Sequence, residues 1–231
     1  MVLGIPCAYL ISKSIDTNTM VKFFEAIRER VGKIECETFM SDDAQQYGNA
    51  WEQVMGTPKR QLLCSWHVLR NWNTRLTKIA SVGLKDEIRK TLRTLMDCAE
   101  IEKFEEMFSQ FLKRLEDACK QPGPEEDSEQ EGSLTPEQKC ALEEFRSYFV
   151  KTYSTRVRQW AFCYRKEVNL STNNHIESMH RTLKCTHMHG KQNYRLDKLI
   201  WLLFTMTSDV FIKRVIRLVK GKTDHRRTAA G

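Results

Sequence analysis

Ile34-Glu-Cys-Glu-Thr-Phe-Met40 runs straight into Ser41-Asp42-Asp43-Ala44, and these two stretches decide the fold class. The first reads as a strand with partial alternation of apolar and polar side chains. After the acids, Tyr47, Ala50, Trp51 and Val54 recur on one side of a helix predicted over Ala44 to Met55. Gly56-Thr-Pro58 stops that helix. Gln61 to Cys64 then reads as a brief strand that leads into a helix from about Trp66 to Ala80.

Upstream, Val2 to Ser12 is an apolar run containing Pro6, the pattern of a strand with an edge or a bulge. Asp16 and Thr17 cap a helix carrying Met20, Phe23, Phe24, Ile27 and Val31, which Gly32 ends. Three strands alternating with three helices predict an α/β layer with parallel pairing. In such a layer ligands lie beyond the carboxyl ends of the strands. Asp42 and His67 both fall there.

From Leu84 the pattern is helical only. Leu84, Ile88, Leu92, Leu95 and Ala99, then Phe104, Phe108, Phe111 and Leu115, form an apolar stripe with charged flanks. An acidic loop over residues 121–135 follows, with five acids and no base between Glu125 and Glu131. Thr135-Pro136-Glu137-Gln138 is a capping box with proline at the first helical position, opening a helix to about Tyr153. A last helix from Asn193 to about Leu218 is expected to bury Leu196, Leu199, Ile200, Leu203 and Phe204.

With 41% hydrophobic and 29% charged residues, the 231-residue chain has the composition of a globular protein with one sizeable core or a core with a lobe. Its net charge of +7 favours a polyanionic partner. No apolar run reaches membrane-spanning length, and the first residues lack the pattern of a signal peptide, so no membrane partner is expected. The eight cysteines are irregularly spaced, which fits reduced intracellular thiols better than a disulfide framework.

Asp42, between a strand and a helix, has two readings: a ligand for Mg²⁺ or Mn²⁺ beside a phosphate, or an N-cap. Asp43 is the preferred capping or first-turn acid. Asn174-His-Ile-Glu177 has the form of a capping box, with Glu177 and Arg181 spaced as an i,i+4 pair. Asn173, Glu177, His180 and Arg181 also share one helix face, where an acid and bases could meet a phosphate. Cys64-Ser-Trp-His67 is half of a zinc pattern, and Cys185-Thr-His-Met-His189 could supply the rest. A lone CxxH pair is weak, and zinc is disfavoured.

Basic residues gather in two places. Arg70, Arg75 and Lys78 ride on the helix after His67. Lys213, Arg214, Arg217, Lys220, Lys222, Arg226 and Arg227 crowd the end of the chain, where they could neutralise phosphates without reading sequence. Trp72 and Trp160 could stack on bases or belong to the core.

Taken together, these segments resemble the Mutator-like (MULE) transposase domain and, more loosely, the wider set that includes the hAT elements. The resemblance runs through Gly4-Ile-Pro-Cys-Ala-Tyr-Leu-Ile-Ser12, Met40-Ser-Asp42-Asp-Ala44 and Ala50-Trp51. It is most specific at Leu63-Cys-Ser-Trp-His67-Val-Leu-Arg70-Asn71. It resumes at Asn173-Asn-His-Ile-Glu177-Ser-Met-His180-Arg-Thr-Leu-Lys184 and at the Gln192-Asn-Tyr-Arg195-Leu-Asp197 region.

The resemblance implies a fold and a chemistry. The fold is an α/β RNase H-like core, incomplete here, with an all-helical insertion. Residues 1–83 would be the first part of the core and 84–165 the insertion. Residues 166–220 would be the C-terminal core helices, and 221–231 a basic tail. The chemistry is metal-dependent cleavage and strand transfer at DNA phosphodiesters, with Mg²⁺ or Mn²⁺ held by three acids. Asp42 would be the second acid and Glu177 the third, with Cys64, His67, Asn173, His180 and Arg181 supporting.

The first acid would lie upstream of Gly4. The expectation is therefore a transposase-derived nuclear protein that binds DNA, is able to form homo-oligomers, and alone has no nicking or strand-transfer activity. The competing readings are a catalytically silent nucleic-acid-binding or chromatin-associated protein, and a protein-interaction module.

Overall fold

The computed structural model describes residues 5–120, 134–168, 172–191 and 193–220. The chain divides into two units, one comprising Ile15–Thr172, the other Met1–Ser14 with Asn173–Gly231. Most of the acidic loop, and Lys222, Arg226 and Arg227, lie outside the described residues.

The larger unit begins with α1 (Thr17–Val31), which Asp16 caps by accepting the Thr19 amide at 2.8 Å. Met20, Val21 and Phe24 are buried, while Val31 is exposed. Gly32, at φ 79°, ends the helix by donating to the Arg28 carbonyl (2.8 Å), a backbone conformation that costs a Cβ-free residue little.

Strand β1 is Thr38–Ser41, shorter than the sequence predicts, and β2 is Arg60–Leu63. Pro58 lacks an N–H, and the ladder opens with the Arg60 amide donating to the Glu37 carbonyl at 2.9 Å, so Ile34 to Cys36 have no strand to pair with among the described residues. The two strands are parallel, with Met40 opposite Leu62 and Ser41 opposite Leu63, joined through α2 (Gln45–Met55). Among the described residues the sheet has these two strands. Phe39 stacks on Trp51 at 4.8 Å, and Arg28 donates to the Val54 carbonyl at 2.9 Å. Together they close a small core of α1, α2 and β1.

A second, larger core is helical. It is built by α3 (Ser65–Leu76), α4 (Val82–Asp97), α5 (Ile101–Lys120), α6 (Pro136–Tyr153) and the short α7 (Val157–Trp160). Helix α3 stops short of Ala80 because Ser81 caps α4, accepting the Leu84 amide. The Thr135 capping box forms as its sequence predicts, with both reciprocal bonds present. Trp72 and Trp160 sit 5.2 Å apart, edge to face, and are fully buried, which settles them as core and removes them as base-stacking platforms.

The smaller unit contains α8 (Asn174–Thr182), a π-helical turn (Leu183–His187) and α9 (Leu196–Val219). Of the strand predicted over Val2 to Ser12, the first three residues lie outside the described residues, and residues 5–12 form none. No ladder partner exists for them among the described residues, and Pro6 removes a donor. They are tied down instead by the Tyr9 hydroxyl, 2.8 Å from Thr207 Oγ1 on α9.

Helix α9 also departs from expectation. Leu203 is buried with Leu202 and Met206, and Leu199 is half-buried, but Leu196, Ile200 and Phe204 are exposed. The helix is apolar on two opposite faces, so periodicity alone did not say which face packs inward. None of the described helices is long and apolar enough to cross a membrane.

The described residues are thus mostly helical, with a small two-stranded parallel sheet in the larger unit.

Candidate functional site

Parallel pairing brings the carboxyl ends of β1 and β2 side by side, since the Cys64 amide donates to the Ser41 carbonyl at 2.9 Å. The next residues of each segment therefore emerge together. Asp42 leaves β1, and Cys64-Ser-Trp-His67 opens α3. Asp42 Oδ1 lies 3.4 Å from His67 Nδ1, with the acid 40% and the imidazole 21% exposed. A partly shielded carboxylate–imidazole pair at a shared strand end can ligate a cation or move a proton. Cys64 is fully buried, and its sulfur lies within 4.8 Å of a His67 ring nitrogen.

Neither acid caps α2. The N-cap is Ala44, which makes no side-chain cap bond. Asp43, read from sequence as the capping or first-turn acid, is instead drawn inward, with its side chain 3% exposed. Asp43 Oδ2 accepts from Asn71 Nδ2 (3.0 Å) and from the Tyr153 hydroxyl, and Oδ1 accepts from Arg156 at 3.3 Å. These donors come from α3, the end of α6 and the turn after it. One carboxylate therefore ties the strand end to the helical core and fixes the backbone from which Asp42 projects.

Arg165 is 2% exposed, and its guanidinium donates to the carbonyl of Leu63, the last residue of β2, at 3.0 Å. Burial lowers its pKa and the neighbouring Cys64 raises it, the former being larger. Sequence reading missed both Arg165 and the Asp43 contacts. The one signal it had was the doubled acid after a strand, which can be divided between a solvent-facing and an inward role.

Burial, reinforced by the Asp43 and Tyr148 hydrogen bonds, pushes the Tyr153 hydroxyl far above its ordinary value of 10.0. Tyr164 is pushed up to about 12 by desolvation and its bond to Glu105. A folded-state pKa above the unfolded one leaves stability intact below pH 10 and erodes it above, because only the unfolded chain releases the protons there. Chemical denaturation should show stability declining between pH 10 and pH 12, a decline that Tyr153→Phe reduces.

Trp66, not Trp72 or Trp160, is the exposed tryptophan beside the site. It is 47% exposed, packs edge-on to His67 at 4.8 Å, and carries the Arg70 guanidinium 5.3 Å over its ring. Arg75 lies 4.5 Å over Tyr148, and Lys78 pairs with Glu144 at 2.7 Å, so both are engaged within the larger unit.

Glu177, Asn173, His180 and Arg181 belong to the smaller unit, on α8. The predicted capping box is not formed there. Asn173 is the N-cap, without a side-chain cap bond, and Asn174 is already helical. Asn173 and Glu177 are half-buried, His180 and Arg181 exposed. Lys213, Arg214, Arg217 and Lys220 ride on the second half of α9. Cys185 is exposed in the π-helical turn, and all eight cysteines are free.

No protein-family model matches the chain, and no curated protein or solved structure matches it.

Proposed function

We propose that the chain is a transposase-derived domain on an RNase H-like scaffold. In this reading it acts on DNA in the nucleus, Asp42 holds a divalent cation against a phosphodiester, and Glu177 is the other acid that the resemblance assigns. The observation that carries this reading is Asp42 beside His67 at the shared carboxyl end of two parallel strands. Open α/β sheets place ligand chemistry at that position.

Asp42 offers the hard oxygen that Mg²⁺ or Mn²⁺ takes, and His67 Nδ1 orients it or shares the ion. Cys64 and His67 are softer donors than Mg²⁺ prefers, which favours Mn²⁺ of the two. A bound ion would polarise a phosphodiester and stabilise the leaving oxygen. The chain's own groups bind and orient. Trp66 presents an aromatic face for a base, Arg70 supplies charge beside it, and the cations of α9 follow the backbone.

Fluorescence anisotropy with a labelled single-stranded oligonucleotide tests the reading. Affinity should fall steeply with rising salt. Loss of one stacked base at Trp66→Ala costs about 1–3 kcal/mol, or roughly 5- to 150-fold in Kd. Arg70→Ala should act in the same direction and flatten the salt dependence. Salt-independent binding, or none, would remove DNA as the partner and leave the protein-interaction reading.

A further inference from the structure

The described part of the smaller unit has almost no core of its own. No residue of α8 is buried, and on α9 only Leu202, Leu203 and Met206 are. The opposite face of α9 carries Trp201, Phe204, Phe211, Ile212, Val215 and Leu218, which are 64%, 72%, 57%, 53%, 41% and 65% exposed.

The spacing of these residues is informative. Positions 201, 204, 208, 211, 215 and 218 alternate steps of three and four, the interval at which apolar residues form one seam along a paired helix. Ser208 is the single polar member, and no charged residue interrupts the seam from Trp201 to Leu218. Lys213 and Arg217 lie on the other side of the helix. Charge is thus depleted from the apolar strip and collected beside it, the anatomy of an interface core with a polar rim.

We infer that this α9 face is a homodimer interface, and that its occupant is the same seam of a second copy of the chain. The area supports a stable pair. Taking about 150–250 Å² for a whole aromatic side chain, the six residues expose on the order of 700 Å² of apolar surface. A standard interface buries about 800 Å² per partner, whereas an apolar patch left open on a monomer is smaller, usually a few hundred Å². A seam of period 3.5 is self-complementary, so two copies related by a two-fold axis bury the same residues on each side. The cations on the far face stay free, and a dimer would present two such basic stripes. The inference does not depend on the function proposed above.

Sedimentation velocity of the full chain tests it. The wild type should sediment as a dimer at about 10 µM, a concentration at which a micromolar complex is formed. The double variant Phe204→Glu/Phe211→Glu should sediment as a monomer with unchanged helical circular dichroism, because both side chains are exposed. Ile101→Glu, also at an exposed apolar position but on α5, should remain dimeric. A monomeric wild type would overturn the inference, and so would a dimer that the double variant leaves intact. Should the double variant lose helicity, Ser208→Cys provides the check. Oxidation should yield a covalent dimer beyond the level that the native cysteines give, and failure to do so overturns the inference.

Discussion

Asp43→Ala is expected to lower the unfolding free energy by about 3 kcal/mol, the scale set by stranding a buried charge without its partner. Asp43 is 3% exposed and holds Asn71, Tyr153 and Arg156, and Arg156 is itself only 17% exposed. Truncation removes the acceptor for three donors at once and leaves a guanidinium facing a space that water reaches poorly. In a unit of this size each kcal/mol moves Tm by roughly 2–4 °C, so thermal unfolding should shift down by about 10 °C. Asp42→Ala, at a half-open site, should shift it far less. Equal shifts for the two acids would mean that the inward and outward roles are wrongly divided. The consequence reaches the site, because the backbone that carries Asp42 is fixed by its neighbour.

Phe149→Ala should cost about 3–5 kcal/mol, the range for truncating a buried phenylalanine. The ring is fully buried and lies within 5.5–6.5 Å, centroid to centroid, of Trp72, Phe108, Phe111, Phe145, Tyr153 and Trp160. These neighbours come from α3, α5, α6 and α7. Four elements converge, and none can collapse into the space without pulling another out of contact. Ile101→Ala, at a residue 46% exposed, should change stability by no more than about 0.5 kcal/mol. Urea titration of both variants gives the comparison directly. Similar midpoints would contradict the placement of the core. Tyr153 belongs to this aromatic cluster and to the Asp43 network, so core packing and site geometry share a residue.

What could be read from sequence followed the strength of local signals. The α1 cap at Asp16, the terminating Gly32 and Gly56 and the Thr135 box each satisfy orphan backbone groups within a few residues. Their elements therefore start and stop close to where the pattern says. The parallel pair was legible because a helix intervenes between two short apolar runs. Ile5 to Ser12 was misread because a strand needs a partner, and propensity cannot supply one. Asp43 was misread because its donors lie 28, 110 and 113 residues away, beyond any local rule. The same holds for Arg165, whose acceptor at Leu63 is 102 residues distant. Helix α9 was assigned correctly as a helix and wrongly in its buried face, since two apolar faces give no preferred direction. Trp66 was overlooked beside Trp72 because tryptophan content does not report exposure.

A divalent cation held at Asp42 is the claim on which the proposed function stands, and Mn²⁺ binding tests it most directly. Isothermal titration of the full chain with Mn²⁺ should give one site. Asp42→Asn should weaken that site by at least about 10-fold, since altering even the residues behind a metal's ligands costs that much. A site of undiminished affinity in Asp42→Asn, or no Mn²⁺ binding by the wild type, would contradict it.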